Sequence, residues 1–346
     1  MISHYITNNV NPANIFIIKP GAIGDLLQIT PVIRALHGKY PEARIDIMVG
    51  SAATASLFTH NPLVHEVIVF DKRGEHRSIT ALAGLWRRLR RERYDLVLNF
   101  QRSNLKGWFL ASAAFPCRLL IYHKARRRGV HAVANHLETL APLGIDLVAV
   151  DHSLEIYPGA EAERFADELF AAENLNGATV IALNPGASHP VNRWGTKQFA
   201  LLADSLAERP MTSIVIVGGK EDVCLANEIA SQCLSKPLIL TGRTDLLQLA
   251  ALLRRCALLV TGDTGPMHIA TAVGTRVLAL FGAADPARTG PVGNGHRVIQ
   301  ASGVACVPCR SRGCSNSRYL ECMEQITVEE AHAVATGMLA ESEWLQ

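Results

Sequence analysis

The sequence predicts an α/β protein of two doubly wound, Rossmann-like domains, and three observations carry that prediction. Short Val-, Ile- and Leu-rich runs alternate with helical patterns along the whole chain. These runs lack polar alternation, as parallel strands buried on both faces do. The rhythm occurs twice in 346 residues, a length that suits two domains of ordinary size.

In the first half the strand candidates are Ile15–Ile18, Ile45–Val49, Val67–Phe70, Leu96–Phe100 and Leu119–Tyr122. Helical patterns fall between them at Pro31–His37, Ser78–Arg93 and His131–Leu143. The second half offers strands at Val180–Leu183, Ile214–Val217, Leu238–Leu240, Leu258–Val260 and Val277–Phe281. Its helices are expected at Lys197–Glu208, Asp222–Cys233, Leu246–Arg254 and Met267–Val273. A boundary near Tyr157–Gly159 divides the chain into 1–156 and 157–346, with an acidic helix following at Ala160–Ala172. The end of the chain, Ile326 to Leu345, is helical by pattern, with Thr327 as cap and Glu329 and Glu330 in the first turn. Ligands of such a pair of sheets are expected in a central cleft, facing the carboxyl ends of the strands.

Composition narrows the class. Hydrophobic content of 49% against 19% charged residues is globular rather than disordered. No apolar run reaches the ~18 residues of a membrane span. The opening MISHYITNNVNPANIF has neither a basic start nor an apolar signal core, so a cytoplasmic protein is expected. Its eight cysteines then read as thiols or metal ligands. The charge is uneven: residues 1–156 carry 19 Lys and Arg against 12 Asp and Glu, the remainder 15 against 19. A basic first half suits an anionic partner. Arg87, Arg88, Arg90, Arg91 and Arg93 read as a solvated helix face, whereas Lys124, Arg126, Arg127 and Arg128 fall in an expected loop and are the better contact candidates. No nucleic-acid-binding role is expected.

The chemistry lies in the turns that end strands. In IIKPGAIGDLLQITPVIRAL, Gly21 and Gly24 allow a tight turn and close backbone approach. Asp25 is either a first-turn carboxylate or a base at the ligand edge. Lys19 is either an edge lysine or an anion contact, and Thr30-Pro31 reads as the cap and first position of the long helix. The glycines do not form G-x-G-x-x-G, so the dinucleotide fingerprint is absent. In VIALNPGASHPVNRWGTKQFALLA, Arg193 sits in a loop where a guanidinium can neutralise a diphosphate, before a helix capped near Thr196. In VGGKED, Glu221 or Asp222 could hold ribose hydroxyls or simply complement a helix dipole. In LVTGDTGPMHIATAVGTRVLALFG, the TGDTG turn places hydroxyls, a carboxylate and free N–H groups at a helix start, which favours phosphate.

In this order, KPGAIGDLLQITPVIRAL, NPGASHPVNRW, VGGKED and LVTGDTGPMHIATAVGTRVLALFGAADP resemble glycosyltransferase family 9, the ADP-heptose:lipopolysaccharide heptosyltransferases and their relatives. The resemblance covers nearly the whole chain. It implies the GT-B fold, with an acceptor-binding first domain and a second domain that binds the nucleotide sugar. It implies Asp25 as catalytic base, Asp263, Thr264, Gly265 and His268 at the donor sugar and diphosphate, and Glu221 or Asp222 at the ribose. Lys19, Gly21 and Gly24 would line the acceptor side or the cleft, and Arg193 the donor side. By analogy with GT-B proteins the final helix, 327–345, would cross back to the first domain. The expected reaction is inverting transfer of a heptose from ADP-heptose to the inner core of lipopolysaccharide, a lipid-linked saccharide at the inner membrane face. No cofactor is expected, since no D-x-D pair is present to hold a divalent ion. One departure is specific: many members carry Lys where this chain has Asn192. Asn cannot meet phosphate charge in the same way, which keeps open another nucleotide sugar or a non-catalytic binding protein.

Cys306, Cys309, Cys314 and Cys322 have the spacing C-x2-C-x4-C-x7-C, which lacks the paired knuckles of common zinc modules. Reduced thiols packing a loop are expected there, with a structural metal as the alternative. Cys117, Cys224, Cys233 and Cys256 read as core.

Overall fold

The computed structural model describes residues 11–72, 74–101, 105–123 and 129–343. The chain divides between Tyr157 and Pro158 into two compact units. The first holds one five-stranded sheet: β1 (Asn14–Ile18), β2 (Arg44–Val49), β3 (Glu66–Val69), β4 (Leu96–Asn99) and β5 (Arg118–Ile121). Its strand order is β3-β2-β1-β4-β5 and every pairing is parallel. The second holds six: β6 (Thr179–Asn184), β7 (Thr212–Ile216), β8 (Leu238–Ile239), β9 (Leu258–Gly262), β10 (Val277–Phe281) and β11 (Arg297–Gln300). Their order is β11-β10-β9-β6-β7-β8, again all parallel. Read from β8, this is the 3-2-1-4-5-6 order of doubly wound sheets.

That order positions the sites. In each sheet the chain runs to one side from the first strand, then returns to continue on the other. The reversals lie between β1 and β4 and between β6 and β9, and ligands bind beyond the carboxyl ends of strands at such points. The central strands are buried on both faces: Ile15 to Ile18, Leu96 to Leu98, Val180 to Leu183 and Leu258 to Val260 are at most 1% exposed. This is why their sequences lack polar alternation.

The helix Thr196–Ala207 buries Phe199, Ala200, Leu202, Ala203 and Leu206, the face that a 3.6-residue period aligns. Trp194, just before it, enters the same core and donates its indole N–H to the Ile326 carbonyl at 2.9 Å. The final helix, Val328–Glu343, has Thr327 before it, whose hydroxyl accepts from Glu330 N–H at 3.1 Å. Ala331, Ala335, Met338 and Leu339 sit in the second unit's core beside Phe199, Leu278 and Leu280.

Two local readings change. Thr30 is the first helical residue of Thr30–Lys39, not its cap. Its hydroxyl donates to the Leu27 carbonyl at 2.8 Å and accepts from Glu155 N–H at 3.0 Å, which ties the helix to the chain leaving the first unit. Gly195, not Thr196, precedes Thr196–Ala207, and the Thr196 hydroxyl reaches Glu228 at 2.6 Å. Of the first arginine cluster, Arg88 pairs with Glu66 and Arg90 reaches the carbonyls of Ala113 and Phe115, so these are packing contacts on a solvated helix. The second cluster, Lys124 and Arg126 to Arg128, lies outside the described residues. Among the described residues no helix is long and apolar enough to cross a membrane.

Candidate functional sites

Beyond β1 the chain turns through Lys19-Pro20-Gly21-Ala22 into the short helix Ile23–Leu27. Gly24 and Asp25 occupy its first turn. A Cβ at Gly21 would lie 2.8 Å from Asp25 Cβ and 3.3 Å from its Oδ2, so only glycine leaves that side of the carboxylate open. The Asp25 side chain is 53% exposed and its Oδ1 lies 3.3 Å from Lys19 Nζ. Lys19 itself is buried. It forms one half of an ion pair with Asp25. Its Nζ also lies 3.4 Å from Nε2 of His136, a residue that in sequence is one more position inside a helical pattern. Tyr122 flanks both, 6.0 Å from Nζ and 5.0 Å from the His136 ring.

In the second unit the central element is the β6–β9 pair. Asn184 and Thr261 are register partners at the carboxyl ends of these strands. The Asn184 amide donates to Thr261 Oγ1 at 2.9 Å, Thr264 Oγ1 at 3.1 Å and the Gly186 carbonyl at 3.3 Å. The two threonine hydroxyls are 3.0 Å apart. This buried network fixes the β6 loop against the TGDTG turn. Asn184 and Thr261 are 77 positions apart in the chain, and strand register alone brings them together.

Thr264 precedes the helix Gly265–Ala272, and its side chain does not cap it. Pro266 has no N–H, so Gly265 and Met267 carry the first-turn donors without helical acceptors. Asp263 is partly buried, and that burial pushes its carboxyl up to about 6 against the opposing pull of the Thr289 hydroxyl. Thr289 Oγ1 is 3.3 Å from Asp263 Oδ2, a partner from outside the TGDTG motif. His268 is buried one turn into the helix.

The loop after β6 is braced by Arg193, whose Nε and Nη2 donate to the Ala187 carbonyl at 3.1 and 2.9 Å. Asn192 brings its backbone carbonyl so close to Gly262 that a Cβ there would lie 2.4 Å from the oxygen. Gly262→Ala is therefore expected to destabilise the second unit by about 1–3 kcal/mol through overpacking. A urea midpoint equal to the wild type would show that Asn192 can retreat freely.

The two carboxylates of VGGKED differ in their surroundings. Asp222 is buried, and its Oδ2 accepts the Gly219 N–H at 3.1 Å. Burial raises its carboxyl above the ordinary range, while Gly219 N–H and Arg193 lower it. Glu221 is exposed, and a Cβ at Gly219 would lie 2.5 Å from its Oε2. One carboxylate is committed to the turn and the other is open to a ligand.

Cys306, Cys309, Cys314 and Cys322 line one small cavity with Val191 and Ala283, behind the same loop. Backbone N–H of Leu320 lies 3.3 Å from the Cys314 sulfur. Burial first, then the three neighbouring cysteines, raises the Cys322 thiol. Among the described residues no group of three or more His, Cys, Asp or Glu is placed to hold a metal ion. Of the four cysteines read as core, Cys256 is buried, Cys117 and Cys233 are partly buried, and Cys224 is exposed.

The sequence model of glycosyltransferase family 9 (heptosyltransferase) matches residues 82–320. Lipopolysaccharide heptosyltransferase 3 of Escherichia coli K12 is 28% identical over 342 residues, covering 92% of this chain and 96% of its own. A crystal structure of a family 9 glycosyltransferase from Veillonella parvula superposes with a TM-score of 0.84 at 26% identity, covering 95% of this chain and 98% of that one. The E. coli ADP-heptose lipopolysaccharide heptosyltransferase II superposes at 0.78 and 22% identity, covering 95% and 99%. These neighbours share the architecture of two Rossmann-like units described above.

Proposed function

The chain belongs to glycosyltransferase family 9, and on that premise we propose that it moves a heptose from ADP-heptose to the inner core of lipopolysaccharide, with inversion at the anomeric carbon. It is a glycosyltransferase; donor, acceptor and stereochemistry are the proposal. The observation that carries it is Asp25, a half-exposed carboxylate beyond β1 with one oxygen held by Lys19. This is the topological reversal of the first sheet, and a carboxylate there can take a proton from a bound hydroxyl.

In this reading Asp25 takes the proton of the acceptor hydroxyl while that oxygen bonds to the anomeric carbon. The bond from the anomeric carbon to the phosphate oxygen breaks, and its electron pair leaves on ADP. The first-turn N–H groups of Gly265 and Met267 and the positive helix end would meet the diphosphate. Glu221 would take the ribose hydroxyls, and Arg193, beside Asp222, would add positive charge. Asp263 and His268 would face the sugar. The reading needs no cofactor. The acceptor would be met at the inner surface of the cytoplasmic membrane, without a spanning segment.

One observation favours a second reading. Asn192 brings no cation to the donor loop, and the Arg193 guanidinium is already turned onto the Ala187 carbonyl. A transferase for another nucleotide sugar fits that loop. The deciding experiment incubates the full chain with ADP-heptose and a deacylated inner-core acceptor, and reads the product linkage by NMR. Transfer from β-linked donor to α-linked product supports the proposal. Turnover of a UDP- or GDP-sugar with none of ADP-heptose would replace it with the second reading.

A further inference from the structure

Catalysis by Asp25 leaves a buried imidazole unexplained. His136 is 2% exposed and belongs to the helix Ala132–Leu137, more than 100 positions from Asp25. Its Nδ1 lies 3.3 Å from the Gln28 carbonyl and its Nε2 3.4 Å from Lys19 Nζ. Phe100 meets the ring edge-on at 5.4 Å between centroids, and Tyr122 packs tilted at 5.0 Å. The titratable groups facing it are Lys19, Asp25, His131 and Tyr122.

Only one protonation pattern satisfies both contacts. A carbonyl oxygen can only accept, so Nδ1 carries the proton that goes to Gln28. Nε2 is then a lone pair. An ammonium can only donate, so Lys19 supplies the proton to Nε2. An imidazolium would place two donors face to face in a buried site. Burial and the Lys19 charge agree with this, since they push His136 down to about 3.

Lys19 is thus held from two sides, with one N–H on Nε2 of His136 and another on Oδ1 of Asp25. That leaves Oδ2 of Asp25 on the side that Gly21 keeps open. We propose that His136 is a positioning residue for Asp25: it anchors Lys19, and Lys19 fixes one carboxylate oxygen so that the other is presented to the acceptor hydroxyl. The inference rests on the reading of Asp25 as base. His136 never touches the reacting atoms; it acts through Lys19.

The test compares His136→Leu, His136→Gln and Asp25→Asn in the full chain, with ADP-heptose and deacylated inner core as probes. His136→Leu is expected to lower kcat by on the order of tenfold to a hundredfold, as a misplaced catalytic group does, with KM for ADP-heptose unchanged. His136→Gln places an amide oxygen near the lost Nε2 and is expected to recover most of that rate. Wild-type kcat in His136→Leu, or no recovery with Gln, overturns the inference while Asp25→Asn remains inactive. An active Asp25→Asn overturns the base reading and this inference together. If His136→Leu does not fold, the imidazole nitrogens of the wild type decide by 15N NMR at about pH 6, near the ordinary value of a histidine. A neutral ring protonated at Nδ1 supports the inference; a ring protonated at Nε2, or an imidazolium, overturns it.

Discussion

Asp25→Asn is expected to reduce transfer by about 10²–10⁴-fold, the contribution of a positioned general base. Nucleotide binding should persist, since the residues placed at the donor all lie in the second unit. The substitution is nearly isosteric. It leaves Gly21 its close contact and keeps an amide carbonyl oxygen within reach of Lys19. What it removes is the negative charge that can accept a proton. Single-turnover transfer and calorimetric titration of ADP, measured on the same preparation, check both halves. Turnover near the wild-type rate would remove Asp25 from the chemistry. Loss of ADP affinity would mean that the substitution disturbs more than the proton transfer.

How much of this is legible in the sequence depends on how far apart the interacting residues lie. The central strands are plain, because parallel strands buried on both faces need unbroken apolar runs. β11 is not, because Arg297 and Val298 are exposed on an edge strand and RVIQ carries no signal stronger than a loop. The helix Leu105–Ser112 also escapes a reading by pattern; its sequence LKGWFLAS is apolar on more than one side and shows little helical period. Turn motifs locate both candidate sites, since glycines and carboxylates at strand ends are local signals. Their partners are invisible. Asn184 and Thr261 meet only because β6 and β9 are neighbours in register, and His136 meets Lys19 across 117 positions. An asparagine ending a strand and a histidine inside a helical pattern have many bland explanations, and nothing near them in the chain selects the functional one. Thr30 and Thr196 fail in the opposite way. Each looks like a cap locally, and a tertiary partner, Glu155 or Glu228, takes the hydroxyl instead.

The same buried groups predict that the two units answer acid differently. His136 has a folded value of about 3 against an ordinary 6.5, so the unfolded chain binds its proton first as pH falls. Stability from this group is complete above about pH 6.5 and declines as pH drops through the window toward 3, with a limiting slope of about 1.4 kcal/mol per pH unit. Asp151 in the same unit, held below the usual carboxylate range by its hydrogen bonds from Ser153, adds to the loss at the acid end. The second unit is balanced. Asp263 has a folded value of about 6 against 3.8, so the folded state gains stability as pH falls from about 6 toward 4. Asp222 shifts in the same direction, while His296, lowered by burial, and Asp204, lowered against its burial by hydrogen bonds from Leu234 and Ser235, work against both. Acidification from about pH 7 to about pH 5 should therefore loosen the first unit, up to Tyr157, before the second. Amide hydrogen exchange, corrected for intrinsic rates, should show protection falling in β1, β4 and the helix Ala132–Leu137 while β6 and β9 change little. His136→Leu should flatten the response of the first unit, because the group that titrates is gone. Equal loss in both units would remove the predicted contrast, and a first unit that keeps full protection at about pH 5 would mean that His136 takes up its proton without opening the fold. The neutral imidazole held between Gln28 and Lys19 would then have to be abandoned.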